Sequence, residues 1–560
     1  MPVYVGIYDD HNAGLAAVSS DAITAYTEFE RSTRIKNQAG WHPDLIGEAL
    51  DGIGIDSIGA ITAPDTGKLA DLLRDRYDAR PSESGRMTVG SHEIRLLPQP
   101  DLHPAFHVLA CTTIPMAGPG VYVAVVFDAE QPRFSIVDLR TPLTAPPDLD
   151  FFKVSDQAWF NGAIFADFYG ALFYGNGDLS NCGKLMGLSG WGRPRLRHTA
   201  FLEQSARRHF DAKVETWNGY RWVSPEAVHA DAEAHLGTTP RDHRHPDVLD
   251  LAASAQELFT HLLVQQVRQA APTIRQRIAA AGLPDPVGVL YGGGCALSVV
   301  SNREVAEAFE LPVFIPPFAH DASQFVGGAI WAGLVDGTSW TPGTGWPGVP
   351  QHIGTVIGGS ELARLGRLGA AATPAAIAQR LAEGRLVGLA RAGAEAGPRA
   401  LGLRSILACA TVPGMRERIN DGVKKREWYR PFAPAMPPAE FARYFGTEAS
   451  PAAEFMLDAF RLRPQLRGLL AAVSGPDGMS RPQAVRTDDE FLTSVCTELG
   501  SATGHPVVLN TSLNAPGKTI AHDLQQVIAD ADALELDHLV LADTILDRAQ
   551  IAALAAQEGR

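Results

Sequence analysis

Two stretches of this chain, VYVGIYDDHNAGLAAV beginning at Val3 and VYVAVVFDAEQPRFSIV beginning at Val121, share one pattern. Each alternates apolar residues, breaks at an acidic turn, and resumes the alternation. That is the signature of a β-hairpin, and a hairpin at the head of two segments predicts a duplicated α/β unit. The 560 residues are too many for one core, so two or more domains of roughly 100–200 residues are expected.

After the second hairpin, PDVLDLAASAQELFTHLLVQQVRQAAPTIRQRIAAAG carries apolar residues at helical spacing, predicting a helix over about 246–280 with Gly282 beyond its end. PVGVLYGGGCALSVVSNREVAEAF then reads as a buried strand, a glycine loop and a helix. GTSWTPGTGWPGVPQHIGTVIGGS, residues 337–360, is dense in Gly and Pro without periodicity and predicts the domain boundary. Residues 1–350 therefore form one expected domain and 360–560 another. The second carries strand signals at LVGLAR, PVVLN and HLVLAD.

The balance of 48 basic against 63 acidic side chains, net −15, argues against nucleic acid or an anionic membrane as partner, since either needs clustered Lys and Arg. An anionic substrate must then be held by a local basic site. Cys111, Cys182, Cys295, Cys409 and Cys496 lie far apart with no CxxC pair, as expected of reduced thiols. The first residues lack the basic and apolar regions of a signal peptide, and no long apolar run follows, so a soluble cytoplasmic protein is expected.

Three motifs carry candidate chemistry. In HPAFH, His103 and His107 stand at i and i+4, one face of a helix, where two imidazoles can share a metal ion. Asp128, after the second hairpin's first strand, and Asp321, in PPFAHDASQFVGGA, are the carboxylates that could complete the set. Their alternatives are a turn residue for Asp128 and a helix N-cap for Asp321. Two imidazoles with one or two carboxylates suit iron(II) or zinc. Gly292, Gly293 and Gly294, between a strand and a helix, form a candidate nucleotide loop, the alternative being a tight turn. Finally, EAGPRALGLRS and KKREWYRPF, residues 395–405 and 424–432, are the densest cationic region, with arginines interleaved with Gly, Pro and aromatics as in a fixed anion pocket. NTSLN, residues 510–514, would add hydroxyl and amide groups at a strand end.

Together, GPRALGLRSIL, KKREWYRPFAP, VVLNTSLN, YGGGCAL, CGKLMGLSGWG and EFERSTRIK resemble the O-carbamoyltransferases of antibiotic and nodulation-factor biosynthesis, the NodU and cephem type. The resemblance implies an α/β fold with a duplicated N-terminal actin-like ATPase (TsaD-like) domain joined to a C-terminal YrdC-like domain. It implies that carbamoyl phosphate and Mg-ATP give carbamoyl-adenylate, whose carbamoyl group passes to a hydroxyl of a small specialised metabolite. On the matching motifs it assigns carbamoyl phosphate to Lys424, Arg430, Arg481 and Ser512. Nucleotide goes to Gly292, Gly293 and Gly294, with Arg399, Arg404 and Arg426 beside it as nucleotide-binding or structural cations. Metal, iron(II) first and zinc or another divalent ion as alternatives, goes to His103, His107, Asp128 and Asp321. It makes His11 the base at the acceptor hydroxyl and implies a homodimer. The competing readings are a tRNA threonylcarbamoyl transferase, disfavoured by the acidic charge, and a non-catalytic nucleotide or carbamoyl phosphate sensor, disfavoured by intact Lys424, Arg430 and Ser512.

Overall fold

The computed structural model describes residues 2–20, 22–82, 85–100, 103–128, 130–154, 160–162, 164–211, 216–217, 220–221, 224–343, 369–391 and 393–558. The predicted boundary at 337–360 falls largely on 344–368, outside the described residues.

Both hairpins form. Val3–Tyr8 pairs antiparallel with Gly14–Val18, and Val121–Val126 with Arg133–Asp138. In each case a parallel strand then joins the other edge of the hairpin's first strand, Ile58–Ala63 beside Val3–Tyr8 and Gly288–Gly292 beside Val121–Val126. Each is followed by a further parallel neighbour, His92–Pro98 in the first sheet and Val313–Phe314 in the second. The duplication legible in the hairpins is thus repeated in the strand order of the seven-stranded and four-stranded sheets. Every residue of Val121–Val126 and Gly288–Gly292 is buried, as expected of parallel strands covered on both faces.

The helix Ala322–Val335 lies between the sheets. A Cβ at Gly6 would stand 2.0 Å from the Phe325 carbonyl oxygen, and one at Gly327 2.1 Å from that of Phe106. Backbone therefore meets backbone, which holds this helix against the first strand and against the helix His103–Cys111. The predicted helix over 246–280 is present as Pro246–Ala280.

Beyond residue 369 an eight-stranded sheet forms, whose central strands include Val387–Ala390, Arg404–Cys409 and Val508–Ser512. The molecule is a mixed α/β fold. Tyr429, Phe455 and Leu457, from this later part, are buried in the same cluster as Val123 and Leu290, so the core runs from one part into the other. No helix among the described residues is long and apolar enough to cross a membrane.

Candidate functional site

His103 opens its helix and His107 follows one turn later, their rings 4.8 Å apart. Asp128 follows the strand Val121–Val126, and Asp321 stands at the start of Ala322–Val335. The two segments bring their carboxylates to the imidazoles, Asp128 Oδ2 to 3.2 Å from His107 Nε2 and Asp321 Oδ1 to 3.8 Å from His103 Nε2. One ligand atom from each of the four lies within 4.8 Å of the others. Asp321 occupies the N-cap position but makes no side-chain cap hydrogen bond, so the capping alternative fails.

Protonation in this cluster suits metal ligation. The Ser323 hydroxyl donates to the His320 carbonyl at 2.8 Å, so it accepts from His107 Nδ1–H. That fixes the His107 tautomer with Nε2 free, the outer-sphere hydrogen bond typical of ligating histidines. Burial holds the His107 imidazole below its usual value against the pull of Asp128. Burial would raise Asp128, but His107, His103 and the Gly294 N–H outweigh it and keep the carboxyl well below the usual range. His107 Nε2 and Asp128 Oδ2 are buried with no hydrogen-bond partner among the described residues. A neutral imidazole and an ionised carboxylate with unsatisfied atoms facing each other are what a divalent cation would complete.

The glycine loop serves this cluster directly. A Cβ at Gly292 would meet His107 Cβ at 2.8 Å, and one at Gly294 would meet Asp128 Oδ1 at 3.0 Å. Gly293 has φ +96° and its Cβ would stand 2.4 Å from the Phe127 carbonyl oxygen. The absent side chains let the loop close on the metal-ligand segments. Of the three, Gly294 reaches the cavity wall described below.

The cationic motifs also converge. Burial and Arg430 lower Arg399 to about 10 and Arg426 to about 9. Burial, Arg399 and Arg426 hold Arg481 far below its usual value. Among the described residues no carboxylate stands within ion-pair reach of these three; Glu427 alone enters the group, 2.9 Å from Arg430 Nε. Asn420 fixes the motif, accepting from Arg426 Nε at 2.8 Å and donating to the Arg430 carbonyl at 3.0 Å. Like charges buried together without counter-ions make a pocket for a polyanion.

Two expected contacts take other roles in this fold. Arg404 has no exposed surface, and its guanidinium donates to the carbonyls of Arg391, Gly393, Leu403 and His522. It stitches loops together and does not reach the cavity, so the structure assigns it no nucleotide contact. The Lys424 ammonium donates to the carbonyls of Ser512 and Asn514 and to Asn514 Oδ1, which uses its three protons on the 512–514 loop. It shapes the wall carrying Ser512, and a direct ligand contact would require it to give up one of these bonds.

One cavity of about 1990 Å³ joins the clusters. Its walls include His11, His103, Asp128 and Asp321 and also Arg399, Arg426, Arg430, Arg481 and Ser512. His11 stands in the first hairpin turn, half exposed, its backbone N–H bonded to Asp10 Oδ1 at 2.8 Å. Sequence reasoning missed Lys36, which lines the cavity and is lowered by burial and Arg430, so it extends the cation cluster. It also missed Glu395, whose Oε1 accepts the N–H groups of Leu401, Leu403 and Arg404 at 2.7–2.9 Å and so shapes the loop carrying Arg399. Both lie in motifs that stood out in the sequence, but neither motif says which member is structural.

Residues 378–548 match the family model described as Carbamoyltransferase C-terminus. Nodulation protein U of Rhizobium tropici is 30% identical over 393 residues, 68% of this chain and 63% of that protein. The 3'-hydroxymethylcephem-O-carbamoyltransferase of Streptomyces clavuligerus is 27% identical over 381 residues, 65% of this chain and 64% of that enzyme. By sequence the chain is similar to nodulation protein U and to 3'-hydroxymethylcephem-O-carbamoyltransferase, and its residues 378–548 carry the carbamoyltransferase C-terminal pattern. It spans between about half and two thirds of the length of such relatives, 52% in nodulation protein NolNO of Sinorhizobium fredii. The family model covers the strands that carry Ser512 and the arginine motifs, while the metal-ligand quartet lies outside it. Among solved structures, the (R)-2-hydroxyglutaryl-CoA dehydratase component A of Acidaminococcus fermentans aligns over 60% of this chain and 97% of its own, with 10% identity and a TM-score of 0.33. That similarity is too low to bear on the site of this chain.

Proposed function

We propose that this protein is an ATP-dependent O-carbamoyltransferase with two chemical stations in one cavity. The observation that carries the reading is that a counter-ion-poor arginine cluster and three members of the two-histidine, two-carboxylate quartet, His103, Asp128 and Asp321, line one cavity. At the arginine cluster, within a YrdC-like C-terminal unit, carbamoyl phosphate loses phosphate to water. The carbamate oxygen then displaces pyrophosphate from Mg-ATP, giving carbamoyl-adenylate. In the duplicated, TsaD-like N-terminal unit, the hydroxyl of a small specialised metabolite attacks the carbamoyl carbon and AMP leaves.

Arg399, Arg426, Arg430 and Arg481 neutralise the phosphates, with forked N–H groups that match their oxygens. Ser512 lines the same cavity on a loop that Lys424 holds, and its hydroxyl, which donates to Asn514 Oδ1 at 2.5 Å, would turn from that bond to reach a phosphate. His103, His107, Asp128 and Asp321 would hold iron(II), with zinc or another divalent ion as the alternative donor match. Such an ion supplies Lewis acidity toward oxygen charge that grows during attack. His11, on the same wall, takes the proton of the acceptor hydroxyl. Placing both stations on one cavity shortens the path of the labile adenylate through water between the steps.

The test is to incubate metal-loaded protein with carbamoyl phosphate, ATP and magnesium and to follow pyrophosphate and carbamoyl-adenylate by mass spectrometry. Product requiring both substrates is expected, with Arg430→Ala suppressing it and His11→Asn sparing it while blocking transfer to the acceptor. A folded, metal-loaded sample that releases no pyrophosphate would refute the reading.

A further inference from the structure

Asp167 belongs to a π-helical turn, Ile164–Phe168, set in an apolar wall. Ile164 and Phe168 are fully buried, and Phe165 packs on Phe259 with ring centroids 4.9 Å apart. Asp167 is 9% exposed, yet it is among the residues that line the cavity. Among the described residues no donor or cation pairs with its carboxyl. Burial alone acts on it and pushes it up to about 7. A π-turn inserts a residue and re-aims its side chain, and such turns concentrate at functional sites. An unpaired buried carboxyl costs stability that a ligand's donor would recover.

The neighbourhood keeps the carboxyl accessible. Opposite it stands Gly177, another lining residue, where a Cβ would lie 3.0 Å from Asp167 Oδ1. Cys182 is close enough that the carboxyl adds to the burial that raises its thiol to about 12. Cys182 in turn acts on Cys295, whose Sγ donates to the Asp128 carbonyl at 3.7 Å. Asp167 thus sits on the metal side of the cavity, and no member of the arginine cluster acts on its carboxyl.

We propose that Asp167 is an acceptor-binding residue, whose carboxyl receives a hydrogen-bond donor of the acceptor molecule, a hydroxyl or an ammonium. This rests on the O-carbamoyl transfer reading. Carbamoyl phosphate, ATP, pyrophosphate and AMP are all anions that the ionised form of Asp167 repels, whereas the acceptor is the participant that brings donor groups without phosphate charge and so favours that form. The other candidate donor is the carbamoyl NH2, which is present in both half-reactions.

The test uses full-length, metal-loaded protein and two probes at millimolar concentration, D-glucosamine (hydroxyls and an ammonium) and D-glucose (hydroxyls alone). Binding is read by ligand-observed NMR, adenylate formation by mass spectrometry and folding by the thermal midpoint. Asp167→Asn is expected to weaken binding by roughly tenfold to a hundredfold. Formation of carbamoyl-adenylate should persist, and the thermal midpoint should not fall. Weakening for glucosamine alone identifies an ammonium, and weakening for both identifies a hydroxyl. Equal affinity in wild type and variant, no binding of either probe to wild type, or loss of adenylate formation in the variant would overturn the proposal. Absence of adenylate in the wild type would instead remove the transfer reading, while the binding comparison still reports on Asp167.

Discussion

Replacing Arg426 by Met separates the stability of the arginine cluster from its use. The substitution keeps an unbranched apolar stem but removes a guanidinium that burial and Arg430 push from an ordinary 12.5 to about 9. That fall corresponds to an upper bound of about 5 kcal/mol in the folded state, and since the residue lies on the cavity wall with part of its surface in solvent, about half of it is taken. Against the gain stand the lost bond to Asn420 Oδ1 and the contact with the Phe432 ring, together about 1–2 kcal/mol. The net expectation is a gain of about 1 kcal/mol, or roughly 2–4 °C in thermal midpoint for a unit of this size. The sign follows from a folded-state value below the unfolded one. The penalty is complete at pH 7, shrinks as pH rises through about 9, and vanishes above 12.5. Calorimetry with and without inorganic phosphate is the assay. In wild type, phosphate at about a hundred times its Kd should add about 2.7 kcal/mol. In Arg426→Met the baseline should rise and most of that phosphate gain should disappear. A variant that is less stable at pH 7 and still fully stabilised by phosphate would show that the cluster is not a strained anion pocket.

Two further outcomes follow from the other wall. His107→Ala and Asp128→Asn should each reduce iron or zinc bound per chain, measured by plasma mass spectrometry after metal loading, and undiminished stoichiometry in either would remove that residue from the quartet. For Asp167, a folded-state value of about 7 against 3.8 means a cost absent below pH 3.8 and complete above about pH 7, approaching 4 kcal/mol. Urea unfolding of Asp167→Asn should therefore show a stability gain that grows from pH 5 to pH 8, and a gain independent of pH would place a partner on the carboxyl.

Local pattern made part of this molecule legible. The alternation in the two hairpins predicts strands whose pairing the fold repeats, and the 246–280 periodicity predicts its longest helix. Spacing also marked His103 and His107, because i and i+4 fix a shared face whatever else surrounds them. What remained hidden depends on contacts across the chain. Gly292 and Gly293 read as a nucleotide loop, but the space they vacate is taken by His107 and Phe127, more than 160 residues earlier. Arg399 and Arg404 are equivalent in GPRALGLR, and only tertiary burial turns one toward the cavity and spends the other on carbonyls. Asp167 in IFADFYGALF looks like the solvent side of an amphipathic helix, and nothing local announces the π-turn that points it inward. Asp321 could be read as cap or ligand until the fold set it beside His103.

The two stations are also joined by something no motif describes. Glu28 ends the strand Ile23–Glu28, which pairs with Gly14–Val18, the second strand of the hairpin whose turn holds His11. Its Oε1 accepts the Gly397 N–H at 3.0 Å, and its Oε2 lies 3.6 Å from Arg31 Nε. Arg31 donates to the carbonyls of Gly397 and Glu395, and Glu395 holds the backbone leading to Arg404. Three charged residues at 2–3% exposure thus span the seam between the sheet whose hairpin turn holds His11 and the loop of Arg399. A buried ion pair adds little net stability compared with apolar packing, but breaking one partner costs about 3–5 kcal/mol. Apolar contact would let the two walls slide, whereas directional bonds through Glu28, Arg31 and Glu395 fix the loop of Arg399 against the sheet that carries His11. For the two-step transfer proposed above, an intermediate made at one wall and consumed at the other would need that fixed registry more than extra stability.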